Sequence, residues 1–251
     1  MRAGRSAVEL SVHPLIALIH KENLGDPHPV LAGGERYVSP RFASEDERAF
    51  RTELTEAGLV DRGRLADFTG ILSIVQQART EFYGWVTGTG GEYSLLVAAH
   101  GRNAFALTRH GNRIAFRRIS PDRLAEAMVE RLPNVSSGRG DSISVREAEV
   151  TRSGPRPVLR RPSGPARSEQ ARRLAALTQA PRQGFVKLYA GRRDDAGNRV
   201  RSREWLDLVD LHDGRWAVYT TANRGERTTN AVAATQALTA TLLNDLLRRA
   251  H

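Results

Sequence analysis

The chain has 251 residues, a hydrophobic content of 40% and a formal net charge of +10. This length is enough for one large or two smaller globular domains. The absence of cysteine excludes disulfides, thiol nucleophiles and thiolate metal sites. No apolar run is long enough to span a membrane. The basic residues 1–6 lead into no apolar core or cleavage site of a secretory signal, so we expect a cytoplasmic protein.

The positive charge comes almost entirely from arginine, because Lys21 and Lys187 are the only lysines in the sequence. A strongly basic chain is one indication of nucleic-acid binding. A GC-rich coding sequence produces the same preference for arginine without any function. We therefore keep a basic nucleic-acid-associated protein as the alternative hypothesis.

The N-terminal part is predicted to form one strand and three helices. Ala7–Val12 alternates between apolar and polar residues, as a strand does. Leu15–Gly25, Glu45–Ala57 and Leu65–Gln77 have the apolar spacing of helices. Ser44 precedes the second helix as a capping residue.

The clearest pattern is a run of four strands followed by a helix. The predicted strands are Glu81–Thr87, Glu92–Ala99, Asn103–Thr108 and Arg113–Ile119. Each gap between them holds a glycine, which favours tight hairpin turns. Ser120-Pro121-Asp122 then predicts the start of a helix that ends near Leu132.

A weaker copy of the same order closes the chain. Its predicted elements are strands at Gly184–Gly191, Arg199–Leu211 and Trp216–Thr221, a strand of at most four residues at Arg227–Asn230, and a helix at Val232–Arg249. Between the two copies, Ser142–Val150 is predicted to be a short strand and Glu169–Ala180 a helix. The repeated order indicates two similar halves related by a pseudo-twofold axis.

These patterns predict a single α/β (α+β) domain over residues 1–251. Its N-terminal half is residues 1–150 and its C-terminal half is residues 169–251. Residues 151–168 are rich in proline and arginine and are predicted to form a solvated tether. We expect two quasi-symmetric ββββα halves that share a central, mainly antiparallel sheet flanked by helices.

No arrangement of residues predicts a catalytic, metal or cofactor site. Gly88-Thr89-Gly90-Gly91 lies between two predicted strands, which favours a hairpin turn over a phosphate loop. The histidines lack metal-ligand spacing. The carboxylate pairs Asp194-Asp195 and Asp207/Asp210 fall in a predicted loop and an exposed strand, and we interpret them as solvated surface.

Aromatic residues on the central strands are more informative. In the first strand of the four-strand run, Tyr83 and Trp85 face one side and Phe82 and Val86 face the other. A strand covered on both faces is one interpretation, and a face that receives a protein partner is the other. Trp205, Tyr189 and Trp216 raise the same question in the second half.

Five loose motifs occur in a defined order along most of the chain. They are His28-Pro29-Val30-Leu31; Leu54–Val60; Leu96–Ala104; Leu132-Pro133 with Gly138–Val145; and Leu208–Arg215, which contains Asp210 and Asp213-Gly214-Arg215. Their order resembles the EspG family, the cytoplasmic chaperones of actinobacterial type VII (ESX) secretion.

The resemblance implies a single fold with two quasi-symmetric halves and a non-catalytic function. Family members bind the tip of a PPE protein in a PE–PPE heterodimer and keep that substrate soluble and export-competent. The client here would be such a heterodimer or another helical type VII substrate, and a homodimer stays open as a further assembly. The family's client-binding loop between the second and third strands corresponds to Thr87–Glu92. With the aromatic residues, the candidate partner-binding set is Tyr83, Trp85, Thr87, Gly88, Thr89, Gly90, Gly91, Glu92 and Trp205.

Overall fold

The computed structural model describes residues 8–33, 43–59, 62–151, 168–223 and 225–250. Most of the predicted tether, residues 152–167, lies outside these ranges. The helices within them are α1 (Val12–Lys21), α2 (Ala43–Glu56), α3 (Arg62–Gln76), α4 (Leu124–Val129), α5 (Glu147–Thr151), α6 (Glu169–Gln179) and α7 (Gln236–Arg248). Single turns of 3-10 helix occur at Pro29–Leu31 and Pro121–Arg123.

Eleven strands form one sheet. They are β1 (Val8–Ser11), β2 (Thr80–Gly88), β3 (Gly91–His100), β4 (Asn103–His110), β5 (Arg113–Ile119), β6 (Ile143–Arg146), β7 (Gly184–Arg193), β8 (Arg199–Arg201), β9 (Leu206–Leu211), β10 (Gly214–Asn223) and β11 (Glu226–Ala233). The strand order is β1-β5-β4-β3-β2-β7-β9-β10-β11-β6, and β8 pairs with β7. Every pair of strands in this order is antiparallel.

The two halves of the repeat meet at the middle of this sheet. The first half contributes β2 to β5 with α4, and the second contributes β7 and β9 to β11 with α7. The central strands β2 and β7 pair along their whole length, with Gly84 opposite Leu188. Since the strand order outward from this pair is the same on both sides, the predicted fold of two quasi-symmetric halves around one antiparallel sheet is confirmed.

Hairpin turns were predicted at the correct places. Gly101 and Gly111 adopt φ angles of 59° and 55° in the turns that precede β4 and β5. L residues with a side chain rarely adopt these angles, which explains why a glycine occupies both positions. The strands of the first half therefore match the prediction to within a residue or two at most ends.

Helices cover the sheet on both faces. On one face, α4 and α7 pack against an apolar layer that includes Phe82, Val97 and Leu188. On the other face, α1, α3 and the turn at Pro29–Leu31 cover the first half, and α6 covers the outer strands of the second half. The centre of this second face lies between these two groups of covering helices.

The second half departs from the prediction in three places. The predicted strand Arg199–Leu211 is broken into β8 and β9, because Ser202 turns the chain: its hydroxyl donates to the carbonyl oxygen of Glu204 at 2.7 Å. β11 has eight residues, not four, because β10 and β6 pair with its two edges. α7 begins at Gln236, since Val232 pairs in β11 and the Thr235 hydroxyl accepts a hydrogen bond from the amide of Leu238.

Candidate partner-binding surface

The centre of the second face, which none of the described helices covers, carries a group of aromatic and charged side chains, which we name the central ledge. It consists of Trp85 on β2, Lys187 and Tyr189 on β7, Trp205 directly before β9, and Asp207 on β9. Strand pairing places Trp85 opposite Lys187 and Lys187 opposite Asp207, so these three form one row across the central strands. A period of two along β7 puts Tyr189 on the same face, in the next row.

The two tryptophans of the central ledge are exposed although they lie at the middle of the sheet. Trp85 is 39% exposed and Trp205 is 40% exposed, and they are the large hydrophobic residues exposed among those that the structure describes. Tyr189 joins them, with ring-centroid distances of 6.0 Å to Trp85 and 6.5 Å to Trp205. The ledge is therefore a continuous aromatic surface rather than two separate side chains.

Charged groups hold the Trp205 ring in place. Its indole nitrogen donates a hydrogen bond to Oδ2 of Asp207 at 2.9 Å. The ammonium group of Lys187 lies 4.6 Å from the centroid of the indole ring and 3.8 Å from Oδ1 of Asp207. Desolvation by burial raises the pKa of Asp207, and the bond from Trp205 opposes this change. These contacts fix the orientation of an exposed tryptophan before any partner arrives.

Tyr83 lies behind the ledge. It is 3% exposed, and its ring stacks on Tyr189 at 5.4 Å and meets Trp85 edge-on at 5.8 Å. Burial raises the pKa of its hydroxyl. The sequence analysis placed Tyr83 among the partner-binding residues, but its side chain is in the core and supports the exposed rings without being accessible itself.

The loop Thr87–Glu92 adjoins the ledge at one end of the central strands. All six of its residues, Thr87 to Glu92, are exposed. Gly88 pairs with both Gly91 and Gly184, so the turn projects beyond β2 and β7. Thr87 follows Trp85 by two residues on the same face of β2. The structure thus brings the loop, Trp85 and Trp205 into one continuous surface.

Of the aromatic residues that the sequence analysis singled out in the second half, Tyr189 lies on the ledge, whereas Trp216 is 4% exposed and lies in the core. Sequence reasoning missed Lys187 and Asp207. The alternation in Phe185-Val186-Lys187-Leu188-Tyr189 was the available signal, because it puts the two aromatic residues and the lysine on one face of β7. Asp207 gave no such signal, since its role depends on Trp205 and Lys187 from different parts of the chain.

A buried polar network lies next to Tyr83 and joins the covering layer to the central strands. Nε2 of His28 lies 3.4 Å from Oε1 of Glu81, and Nε of Arg199 on β8 lies 3.2 Å from the same oxygen. Nδ1 of His28 accepts a hydrogen bond from the amide of Val30, so the ring proton is on Nε2. Desolvation by burial lowers the pKa of His28, and Glu81 partly opposes this change.

Two kinds of feature are absent from the described residues. No group of three or more histidine, aspartate and glutamate side chains there has the geometry of a metal site. Across the same ranges, none of the helices has the length and apolar character needed to cross a membrane.

Comparison with known proteins identifies the family. The model of the EspG family matches residues 11–245. The chain therefore belongs to the EspG family, a family of secretion chaperones rather than enzymes.

One similar solved structure is that of the Mycobacterium tuberculosis type VII secretion system chaperone EspG5 in complex with the PE25–PPE41 dimer. The two folds align with a TM-score of 0.68 at 18% sequence identity, over 98% of this chain and 97% of the other. This likeness shows that the two proteins share a fold. No curated protein sequence matches the chain.

Proposed function

We propose that this protein is a cytoplasmic chaperone of type VII secretion that binds a PE–PPE-type client through the central ledge and the loop Thr87–Glu92. The observation that carries this proposal is the pair of exposed tryptophans at the centre of the sheet, Trp85 on β2 and Trp205 directly before β9. The membership of the EspG family supports the client class, and the complex of EspG5 with the PE25–PPE41 dimer supports a dimer of this class as the partner.

Tryptophan is the residue type that contributes most often to binding energy at protein interfaces. A side chain that is already fixed loses little conformational entropy on binding. Trp85 is fixed by the edges of two tyrosine rings, and Trp205 by Asp207 and Lys187. Both are therefore suited to receive an apolar client surface that would otherwise be exposed to water.

The antiparallel pairing of β2 with β7 makes this surface rigid, because it joins the two halves of the repeat. The same continuity of the sheet supports the interpretation of residues 1–251 as one domain. A rigid sheet with a projecting loop at its end is a suitable scaffold for binding without catalysis.

The test is co-expression of the chain with the PE–PPE-type dimers encoded in the same genome, followed by size-exclusion chromatography. A soluble complex with one chaperone per dimer is expected. Replacing Thr89-Gly90 with Glu-Glu should weaken the complex and leave the thermal unfolding temperature unchanged, because both residues lie in the exposed turn. The matched control is Arg102→Glu in the exposed turn before β4, which makes the same change of two units in net charge.

Two outcomes would contradict the proposal. The first is failure to form a complex with any of these dimers. The second is a complex that both turn variants weaken equally, since that would show that binding does not depend specifically on the loop Thr87–Glu92. Tight, salt-dependent binding of the free chain to DNA or RNA in place of a client would favour the nucleic-acid alternative.

A further inference from the structure

The opposite end of the central strands holds a polar cavity that the proposed client surface does not use. Its volume is about 860 Å³, which is within the range of ligand-binding pockets, about 300–1,000 Å³. Thr80, at the start of β2, and Arg192 and Arg193, at the end of β7, contribute to its wall. β2 has nine residues, so this cavity lies roughly 30 Å from the loop Thr87–Glu92 at about 3.4 Å per residue.

The position of the cavity follows from the repeat. In the first half, the chain that leaves β2 forms the loop Thr87–Glu92. In the second half, the chain that leaves β7 forms the turn at residues 194–198, which contributes to the wall of the cavity. Because β2 and β7 are antiparallel, these two equivalent loops lie at opposite ends of the central pair. The second half therefore presents its own loop and its own concave surface.

Arginine dominates the charge of the cavity. Arg79, Arg192 and Arg193 line it together with His100. Two carboxylates are also present, Asp194 and Asp195, but Asp194 is engaged within its own turn: its oxygens accept hydrogen bonds from the backbone and side-chain nitrogens of Asn198, at 2.7 and 3.1 Å. Both carboxylates keep their negative charge, so three guanidinium groups face two carboxylates and the cavity has an excess of one positive charge.

Arg193 and Arg79 differ in the hydrogen bonds that their guanidinium groups make. Arg193 donates to the carbonyl oxygens of Gly197 and Gln76 and so fixes the wall of the cavity. The guanidinium of Arg79 is exposed and contacts no acceptor among the residues that the structure describes. The N–H groups on both edges of this guanidinium are therefore available, and such a group binds carboxylate or phosphate oxygens in a concave surface.

We propose that this cavity binds an acidic peptide segment of a protein partner, at a site separate from the client surface. Arg79 and Arg192 bind its carboxylates. Val200 and Leu247, which also line the cavity, receive an apolar side chain beside them. Since the loop Thr87–Glu92 and the cavity lie at opposite ends of the central strands, one chaperone binds its client and the acidic segment at the same time.

The experiment uses the full-length chain and a fluorescein-labelled peptide of alternating glutamate and leucine, followed by fluorescence anisotropy at low salt. We expect saturable binding with one peptide per chain. Arg79→Glu and Arg192→Glu should each lower the affinity at least tenfold. The matched control is Arg117→Glu, on an exposed position of β5 three strands away, which makes the same change in net charge. It should change the affinity less than twofold.

Several results would overturn the proposal. Absence of saturable binding would do so, as would an equal loss of affinity in Arg117→Glu, which would assign the binding to net charge. A tighter, Arg79-dependent complex with inorganic pyrophosphate would assign the cavity to a phosphate-bearing ligand instead. Arg79→Glu should still form the client complex, so a failure of this site is distinguishable from a failure of the proposed function.

Discussion

A Cβ atom on Gly84 would lie 2.1 Å from the carbonyl oxygen of Lys187, closer than any two such atoms approach. Gly84 lies in β2 opposite Leu188 of β7, at the middle of the pair that joins the two halves. The same Cβ would lie 2.8 Å from Cδ2 of Leu188. The central strands therefore meet where only glycine fits, and the shape of the central ledge depends on this contact.

Gly84→Ala should lower the free energy of unfolding by about 3 kcal/mol, because the added methyl group forces the backbone of β7 away. Urea unfolding followed by circular dichroism measures this change. Gly70→Ala in α3 is the matched control, since a Cβ at that position meets no atom within 4 Å. This control should raise the stability by up to about 1 kcal/mol. Equal unfolding midpoints for Gly84→Ala and the wild type would show that the close approach is absent.

Asp210 and Arg215 form a buried ion pair across β9 and β10. The guanidinium donates to both carboxylate oxygens, at 2.6 and 2.8 Å, and Asp210 is 4% exposed. The sequence analysis interpreted Asp207 and Asp210 as solvated surface, and this was wrong for both: Asp210 is buried, and Asp207 is half-buried and accepts a hydrogen bond from Trp205. The burial of this pair gives a physical reason for the Asp210 and Asp213-Gly214-Arg215 motif, because its first and last residues bind each other.

Breaking this pair should destabilise the fold strongly. Arg215→Met leaves an unpaired buried carboxylate and should cost about 3–5 kcal/mol of unfolding free energy. The double variant Asp210→Leu/Arg215→Met should be more stable than this single variant, because no uncompensated charge remains. Arg146→Met tests an exposed pair with Glu226 and should cost at most about 1 kcal/mol. A double variant as unstable as the sum of its singles would contradict this interpretation.

The stability of the fold should fall as pH is lowered through the range just below 6.5, because of His28. Burial lowers its pKa in the folded state, so the unfolded chain takes up a proton on this residue at a higher pH than the folded chain does. The loss should reach up to about 1.4 kcal/mol per pH unit.

Urea unfolding at pH 7.5 and 5.5 measures this effect as a difference between variants. His28→Gln should show a weaker pH dependence than the wild type. His212→Gln, in the exposed turn before β10, is the control and should retain the wild-type dependence. A steeper dependence in His28→Gln than in the wild type would mean that the imidazole is charged in the folded state.

The sequence predicted the first half of the fold well because its signals are local. Each strand from β2 to β5 alternates, and each turn holds a glycine with the required conformation. The second half depended on distant partners. Nothing within the segment of β11 indicates its length, which β6 and β10 determine by pairing with its edges. The break before β9 comes from Ser202, whose hydroxyl accepts a hydrogen bond from the amide of Ala190 on β7 at 3.3 Å and donates to the carbonyl oxygen of Glu204 at 2.7 Å.

The candidate surface was predictable only in part. Period-two alternation correctly separated Tyr83 and Trp85 from Phe82 and Val86. Alternation does not reveal which of two residues on one face is covered, and here Tyr83 is buried while Trp85 is exposed. That distinction depends on His28, which meets the Tyr83 ring edge-on at 4.9 Å and comes from a distant part of the chain.

The most direct test of the client surface is the affinity of the purified client dimer for Trp85→Ala and Trp205→Ala, measured by titration calorimetry. We predict that each substitution weakens binding at least 30-fold, equivalent to about 2 kcal/mol, while the thermal unfolding temperature shows that the fold is intact. Arg117→Ala on β5 is the control and should bind like the wild type. Affinities within twofold of the wild type for both tryptophan variants would place the client elsewhere on the molecule.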